Sequence, residues 1–591
     1  MAEGEVLVFD LESNGLLDTI DRVHTLCIFD GSVYERYELG REEAGVRRLM
    51  EADCVVGHNI LSYDLPALKI VYPWFDYKGE VIDTLVLAQL AFADIKQSDF
   101  GRWRANKLPA NLIGRHSLEA YGYRLGEHKG TYGKAVENPW ESWSQEMSDY
   151  CEQDVKVTWL LWQKLKQKNV PDAVLDLEQK FRSILDRQER RGVKFNIEKA
   201  EALYLKLMGI RDELKKKLHN VYPDFYMAGK QFTPKSNNKR MGYVAGCTLS
   251  KIKLTEFNPG SRDHIANRLK HLYGWDPTVF TEDGKPQLDE ETLKGLDYPE
   301  IPMICEYLMI DKRIGQLAEG RQAWLKQVKN GRIHGRVNSL GAITRRCTHN
   351  NPNLAQVPSV SAPYGGECRE LFEASEGYVM LGCDASGLEL RCLGHYMFRY
   401  DHGAYIKVIL EGDIHTVNQL AAGLSTRNEA KTFIYAYLYG AGDELIGVIV
   451  GGGAKEGKKI KKAFLNKTPA LKELRKDVVE ACKKGWLRAI DKGVLKVRSP
   501  HSALNLLLQS AGAIMMKKAC VILDKRLQET GFSYHFVLNI HDEWQIEVRP
   551  EDAEEIGKMA VQAIRDAGDA LGFKCPLDGE YKIGNNWKET H

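Results

Sequence analysis

The stretch Val8-Phe9-Asp10-Leu11-Glu12-Ser13, VFDLES, decides how the N-terminal part of this chain is read. An apolar run of strand type, Val6 to Phe9, leads into Asp10 and Glu12, two residues apart. Residues two apart in a strand share a face, so both carboxylates point the same way from the end of a buried element. Like charges so placed repel unless something positive sits between them. Companions follow downstream. VVGHNILSYDLPAL sets Asp64 just beyond a second strand, VIDTLVL carries Asp83, and SDYCEQDVKV sets Tyr150 and Asp154 four apart, on one helix face. Asp10, Glu12, Asp64 and Asp154 can converge as an all-oxygen cage for two hard divalent cations, Mg²⁺ or Mn²⁺. Two such ions about 4 Å apart clamp the attacking and leaving oxygens of a phosphodiester, with Tyr150 orienting the attacking water. An isolated acid-x-acid pair is a surface feature: 81 acids in 591 residues give about eleven by chance. The set of four with its surrounding strands and helix is what points to metal.

A second set lies in the C-terminal half. YVMLGCDASGLEL ends an apolar strand in Asp384 and places Glu389 five residues on. FVLNIHDEWQIEV puts His541, Asp542 and Glu543 between two strand runs, at a hairpin tip. Asp384 and Asp542 on neighbouring strands would make a second two-metal site. Between them, TRNEAKTFIYAYLYG spaces Arg427, Lys431, Tyr435 and Tyr439 by fours, one drifting stripe on a helix. Two cations and two aromatics suit a ligand with a polyphosphate end and a flat end; the plain alternative is a solvated cationic face beside buried tyrosines. GGAKEGKK, Gly452 to Lys459, fits a phosphate-binding loop in spacing, but Lys459 replaces the Ser or Thr hydroxyl that Mg²⁺ needs there.

The chain as a whole sets few limits. An apolar fraction of 43% supports sizeable cores over two to four domains. Twelve scattered cysteines without a CxxC pair argue against a zinc or disulfide scaffold and for a reducing compartment. A secretory signal is not expected. Ser502 to Met516, the longest uncharged apolar segment, is too short and polar for a bilayer span; a buried core helix and no membrane association are expected. A net charge of +1 neither requires nor excludes nucleic acid. Residues 1 to about 165 alternate strand and helix signals, 171 to about 220 are helical, 222 to 262 read as loop or extended, and helices resume to about 330.

Taken together, the motifs resemble those of family A (DNA polymerase I-like) DNA polymerases, nearest the phage replicative branch that recruits host thioredoxin. DLESN, HNILSYDLPAL and YCEQDVKVT look like three exonuclease motifs of the DEDD superfamily in its tyrosine form; CDASGLELR, RNEAKTFIYAYLYG and IHDE look like polymerase motifs A, B and C. RRCTHNNPNLAQVPS and NLLLQSAGA are further shared words. The fold implied is α/β and α+β multidomain: an RNase H-like 3′-5′ exonuclease domain over 1–170, thumb and connecting region over 171–345, palm over 346–411, fingers over 412–497 and the second part of the palm over 498–591.

The resemblance implies roles as well. Asp10, Glu12, Asp64 and Asp154 would hold the exonuclease metals, with Tyr150 catalytic beside them. Asp384, Asp542 and the Ala385 carbonyl would hold two Mg²⁺, with Mn²⁺ as a substitute, and Glu543 auxiliary. His415, Arg427 and Lys431 would bind the triphosphate, while Tyr435 and Glu389 would exclude a 2′-OH and Tyr435 would admit dideoxynucleotides. Arg346, Gln509 and His541 would contact primer-template DNA. Partners would be DNA and dNTPs, with a phage helicase-primase and single-stranded DNA-binding protein, acting as a monomer in the host cytoplasm. Two departures stand out. Arg345 replaces the glycine of the usual TGR, and only about 35 residues, Tyr226 to Pro259, occupy the place of the long basic thumb insertion, so thioredoxin is not expected to bind. The rivals are an exonuclease whose C-terminal half only grips nucleic acid, disfavoured by motif B, and a catalytically dead scaffold, disfavoured by the intact acids.

Overall fold

The computed structural model describes residues 4–130, 132–135, 138–277, 279–281 and 283–591. The chain forms two compact units. One gathers the segments up to Val193, Gly335–Asn350 and Ala374–His591; the other holds Lys194–His334 and Asn351–Glu373.

The first unit begins with a five-stranded sheet of β1 (Val6–Ser13), β2 (Val23–Phe29), β3 (Tyr34–Glu38), β4 (Cys54–Gly57) and β5 (Glu80–Asp83), in the order β3-β2-β1-β4-β5. β1 runs antiparallel to β2 and parallel to β4, which is itself parallel to β5. Strand parity sorts β1 between two layers. Leu7, Phe9 and Leu11 enter one core with Val46, Leu49 and Leu68; Val8 enters the other with Cys151, Val155 and Leu161 of helix α1 (Gln145–Lys166). Each such fully buried side chain contributes about 1.5–3 kcal/mol. The parity that buries Val8 beneath α1 also aims Asp10 and Glu12 toward it.

Helix α2 (Asp172–Arg191) follows. Later in the chain a four-stranded antiparallel sheet is built from β6 (Val379–Ala385), β7 (Tyr534–Ile540), β8 (Glu543–Val548) and β9 (Gly579–Gly584), in the order β7-β8-β6-β9. Gly382 in β6 is required: a Cβ there would lie 2.4 Å from the Thr590 carbonyl oxygen. Between β6 and β7 the chain is mainly helical, including α3 (Arg427–Leu438) and α4 (Ala503–Thr530), with one short hairpin of Trp486–Arg488 and Val494–Lys496. A stretch containing α4 is long and apolar enough to cross a membrane, but 72% of its most apolar window is buried in the protein. This is the buried helix expected from Ser502 to Met516. Residues 443–481 form the helices Asp443–Val448, Ala454–Lys467 and Pro469–Ala481, and α5 (Ala553–Ala570) packs against β6 and β9. GGAKEGKK opens the Ala454–Lys467 helix with no strand before it, so the phosphate-loop geometry is missing.

A buried ion network lies within this unit. Glu178 of α2 accepts from Lys517 of α4 at 2.7 Å and from Arg345 at 2.6 Å, and Arg345 also reaches Asp491 at 2.6 Å. Arg345 sits at φ +59°, a conformation that favours glycine.

The second unit is mainly helical, with Ile197–Val221, Arg262–Tyr273 and Ile301–Ile314 as its longest helices. Residues 222–262 are more ordered than a loop: Phe225–Phe232 and Leu249–Thr255 pair as a hairpin. Both of its faces expose side chains, Tyr226, Ile252 and Leu254 on one and Lys251 and Lys253 on the other.

Candidate functional site

The first acidic centre is assembled by β1, α1 and the turn after β4. Carboxylate oxygens of Asp10, Glu12 and Asp154 all lie within 4.8 Å of one another. Asp64 stands outside that tight trio but close enough to add repulsion to Asp10 and Glu12. Asp83 delivers it. As N-cap of the Thr84–Ala91 helix, Asp83 accepts from the Leu85 N–H, and it also takes the Asn59 and Leu61 N–H groups at 2.9 and 3.2 Å. That shapes the turn from which the Asp64–Val71 helix starts. Asp83 is therefore a structural acid rather than a member of the cage.

Burial raises all four carboxyls. Asp10 and Glu12 stand well above the usual range, by burial first and then by Asp154. Burial pushes Asp64 up to about 7 and Asp154 to about 6, the latter opposed by Lys129. The Lys129 ammonium contacts Asp154 Oδ2 and lies 4.7 Å from the Tyr150 ring centroid. Asp154 Oδ1 is buried with no hydrogen-bond partner. A buried carboxylate oxygen without a protein partner, amid three other acids, is what an all-oxygen site offers a divalent ion. The donor set fits Mg²⁺ or Mn²⁺.

The second centre sits on the β-sheet. Asp384 pairs in register with Glu543, and the Ala385 N–H donates to the Asp542 carbonyl at 3.1 Å, so Asp384 and Asp542 lie side by side. Asp384 is accessible but ringed by protein. Partial desolvation first, and then the charges of Asp542 and Glu543, push it to about 7. Asp542 rises to about 6 through burial and Glu389. Glu543 departs from the expected hairpin tip: only His541 and Asp542 form the turn, and Glu543 opens β8 as a buried residue. Its carboxylate accepts from Trp587 Nε1 and Gln545 Nε2, both at 2.5 Å, and meets His591 at 3.0 Å. It is anchored from behind rather than held free.

Around this centre Glu389 accepts from the Tyr439 hydroxyl at 2.8 Å and from Arg346 at 3.5 Å. Tyr435 is half-buried, with its hydroxyl pKa raised by burial and then by Glu389 and Asp542; its ring lies 6.3 Å from that of His415. Lys431 on α3 is exposed, with no acidic partner among the described residues. Arg427 is not free: its Nε binds Asp413 at 2.7 Å. Tyr439 closes the stripe as the C-cap of α3: its N–H still donates to the Tyr435 carbonyl at 2.9 Å, one turn back, and its hydroxyl reaches the same Glu389 that acts on Tyr435. His541 adopts φ +57° next to Asp542. Gln509 is half-buried on α4. Lys129, Asp413 and Trp587 escaped sequence reading. A lone lysine in a glycine-containing loop and a tryptophan far downstream carry no periodic signal, although Asp413 two residues before His415 is a recognisable N-cap position.

A family model described as DNA polymerase family A matches residues 235–589. The chain is 38% identical to the DNA-directed DNA polymerase of Enterobacteria phage T3 and 38% identical to that of Escherichia phage T7, each over 99% of this chain and the whole of the relative. The T3 alignment runs over 708 positions against 591 residues here, so that relative carries segments with no counterpart in this chain. DNA polymerase I of Thermus filiformis is 27% identical over 70% of the chain. Among solved structures, the POL domain of Pol1 from M. smegmatis, in complex with DNA primer-template and dNTP, aligns with a TM-score of 0.74 over 98% of this chain and 96% of that one, at 16% identity.

Proposed function

The chain belongs to DNA polymerase family A, and from that premise we propose how its two acidic centres divide the work. The protein is a DNA-directed DNA polymerase that extends a primer 3′-OH with dNTPs on a template strand. The juxtaposition of Asp384 with Asp542 at the end of β6 and β8 carries the assignment of the polymerase centre. The N-terminal centre of Asp10, Glu12, Asp64 and Asp154 is a 3′-5′ exonuclease that removes mispaired ends. Residues 1–170 form the exonuclease domain, 171–345 the thumb and connection, 346–411 and 498–591 the palm, and 412–497 the fingers.

Asp384, Asp542 and the Ala385 carbonyl would hold two Mg²⁺. When bound, such ions acidify the primer hydroxyl and neutralise the leaving pyrophosphate. The protein's own groups do the rest. Lys431, Arg427 and His415 meet the triphosphate from α3 and the neighbouring helix. For Arg427 this requires it to exchange Asp413 for phosphate. Tyr435, backed by Glu389, closes the space beside the sugar C2′. Arg346 and His541 face the primer end, and Glu543, held by Trp587 and Gln545, fixes the start of β8 so that Asp542 cannot drift. In the N-terminal centre, Tyr150 orients the water. The missing thumb segment supports the reading that thioredoxin is not the processivity partner.

A labelled primer-template with Mg²⁺ tests the assignment. Asp384→Ala or Asp542→Ala should abolish extension and spare single-strand degradation; Asp10→Ala with Glu12→Ala should do the reverse. Extension retained in either of the first two variants removes the polymerase assignment.

A further inference from the structure

The N-terminal centre also has a cation of the protein's own. Lys129 follows Gly126, which ends the Leu118–Leu125 helix at φ +77°, and its side chain crosses the Tyr150 ring to reach Asp154. Its charge acts on Asp10, Glu12, Asp64 and Asp154 alike. The Asp154 side chain is nearly sealed from solvent, at 3% exposure, while Lys129 keeps 22%. Lys129 therefore has a path outward and Asp154 does not. Only one oxygen of Asp154 is taken by the lysine; Oδ1 remains without a partner.

Charge counting shows why this arrangement is unstable toward metal. Four carboxyl groups outnumber one ammonium, and a divalent cation that displaces the protons they retain meets more negative charge than Lys129 can cancel. Two divalent ions balance the four acids by themselves and leave Lys129 in excess by one charge. The anion then available to it is a phosphate of the bound strand. We propose that Lys129 is a tethered cation which competes with metal for Asp154 and moves to a phosphate of the single strand when metal and strand are bound. It is a positioning residue that sets the metal threshold of the site. This rests on the exonuclease reading of that centre.

Mn²⁺ binding followed by electron paramagnetic resonance tests it, in a protein carrying Asp384→Ala and Asp542→Ala so that the N-terminal centre is isolated. Lys129→Met should bind Mn²⁺ tighter by roughly tenfold, while Lys129→Arg, which keeps the charge, should stay within about twofold of the parent. Binding of a non-cleavable phosphorothioate single strand with Mn²⁺ present should lose one phosphate contact in Lys129→Met, seen as a salt slope shallower by about 0.7. Unchanged or weaker Mn²⁺ binding in a folded Lys129→Met protein overturns the competition, and an unchanged salt slope overturns the move to phosphate. If adding Asp10→Ala and Glu12→Ala to the same background leaves Mn²⁺ binding intact, the metal reading of the centre fails as well.

Discussion

Asp64→Asn in the metal-free protein is the sharpest probe of how the N-terminal centre stores unfavourable charge. Asp64 is 5% exposed and its carboxyl is pushed to about 7, chiefly by burial, against about 3.9 in an unfolded chain. A raised carboxyl pKa means that the folded state binds the proton more tightly. The associated stability is complete below pH 4 and is lost as pH rises toward 7. Three pKa units at about 1.4 kcal/mol each set a ceiling of about 4 kcal/mol at pH 8. Relaxation and the coupled acids nearby reduce this to about 2–4 kcal/mol. An amide of the same shape carries no such charge. In EDTA at pH 8, calorimetry should therefore find the transition containing β1 and α1 some 4–16 °C higher in Asp64→Asn, on the usual scale of about 2–4 °C per kcal/mol for a domain of this size. At pH 5 wild-type Asp64 is largely protonated when folded, and the gap should shrink. Saturating Mg²⁺ should reverse the order, because only the wild type keeps the full ligand set. An Asp64→Asn protein that melts at or below wild type in EDTA at pH 8, or a gap that does not change with pH, would refute the reasoning.

Arg345→Gly removes three buried charge contacts, to Glu178 twice and to Asp491, while relieving a left-handed φ that costs an arginine about 1 kcal/mol. Glu178 keeps Lys517, so the net loss should be about 2–4 kcal/mol by urea midpoint; a neutral or stabilising result would count against the network. Tyr435→Phe should sharply disfavour dideoxynucleotides with little effect on dNTP incorporation, measured by competitive chain termination. Equal termination in both proteins would sink the hydroxyl's proposed role.

Both acidic centres were legible because strand parity is a short-range rule. Asp10 and Glu12 share a face with Val8, and Asp384 ends the apolar run of β6, so the sequence alone places each carboxylate. The resemblance supplied roles that parity could not. Where the expectation slipped, tertiary partners were responsible. The sequence puts Glu543 at a hairpin tip, yet it opens β8, and Trp587, more than forty residues on, holds it inward. Arg427 lies on the expected stripe, but Asp413, fourteen residues upstream, takes its Nε. Residues 222–262, read as loop or extended, hold a hairpin of Phe225–Phe232 and Leu249–Thr255; Lys251-Ile252-Lys253-Leu254 alternates in its second strand, but Tyr226-Met227-Ala228-Gly229 in the first does not, so the pairing has no matching signal on both sides. Lys129 reaches across from a loop, a contact no spacing rule predicts.

The order of strands in the second sheet bears on how the protein is made. β6 lies in its interior, hydrogen-bonded on one side to β8 and on the other to β9. Roughly 150 residues separate it from its first partner hairpin, so at ribosomal speeds of about 5–20 residues per second β6 emerges roughly ten to thirty seconds before anything can cover its edges. During that interval an apolar strand with both edges open is a template for mispairing between nascent chains. Asp384 puts one charge near the end of that strand, the kind of residue that discourages edge-to-edge pairing.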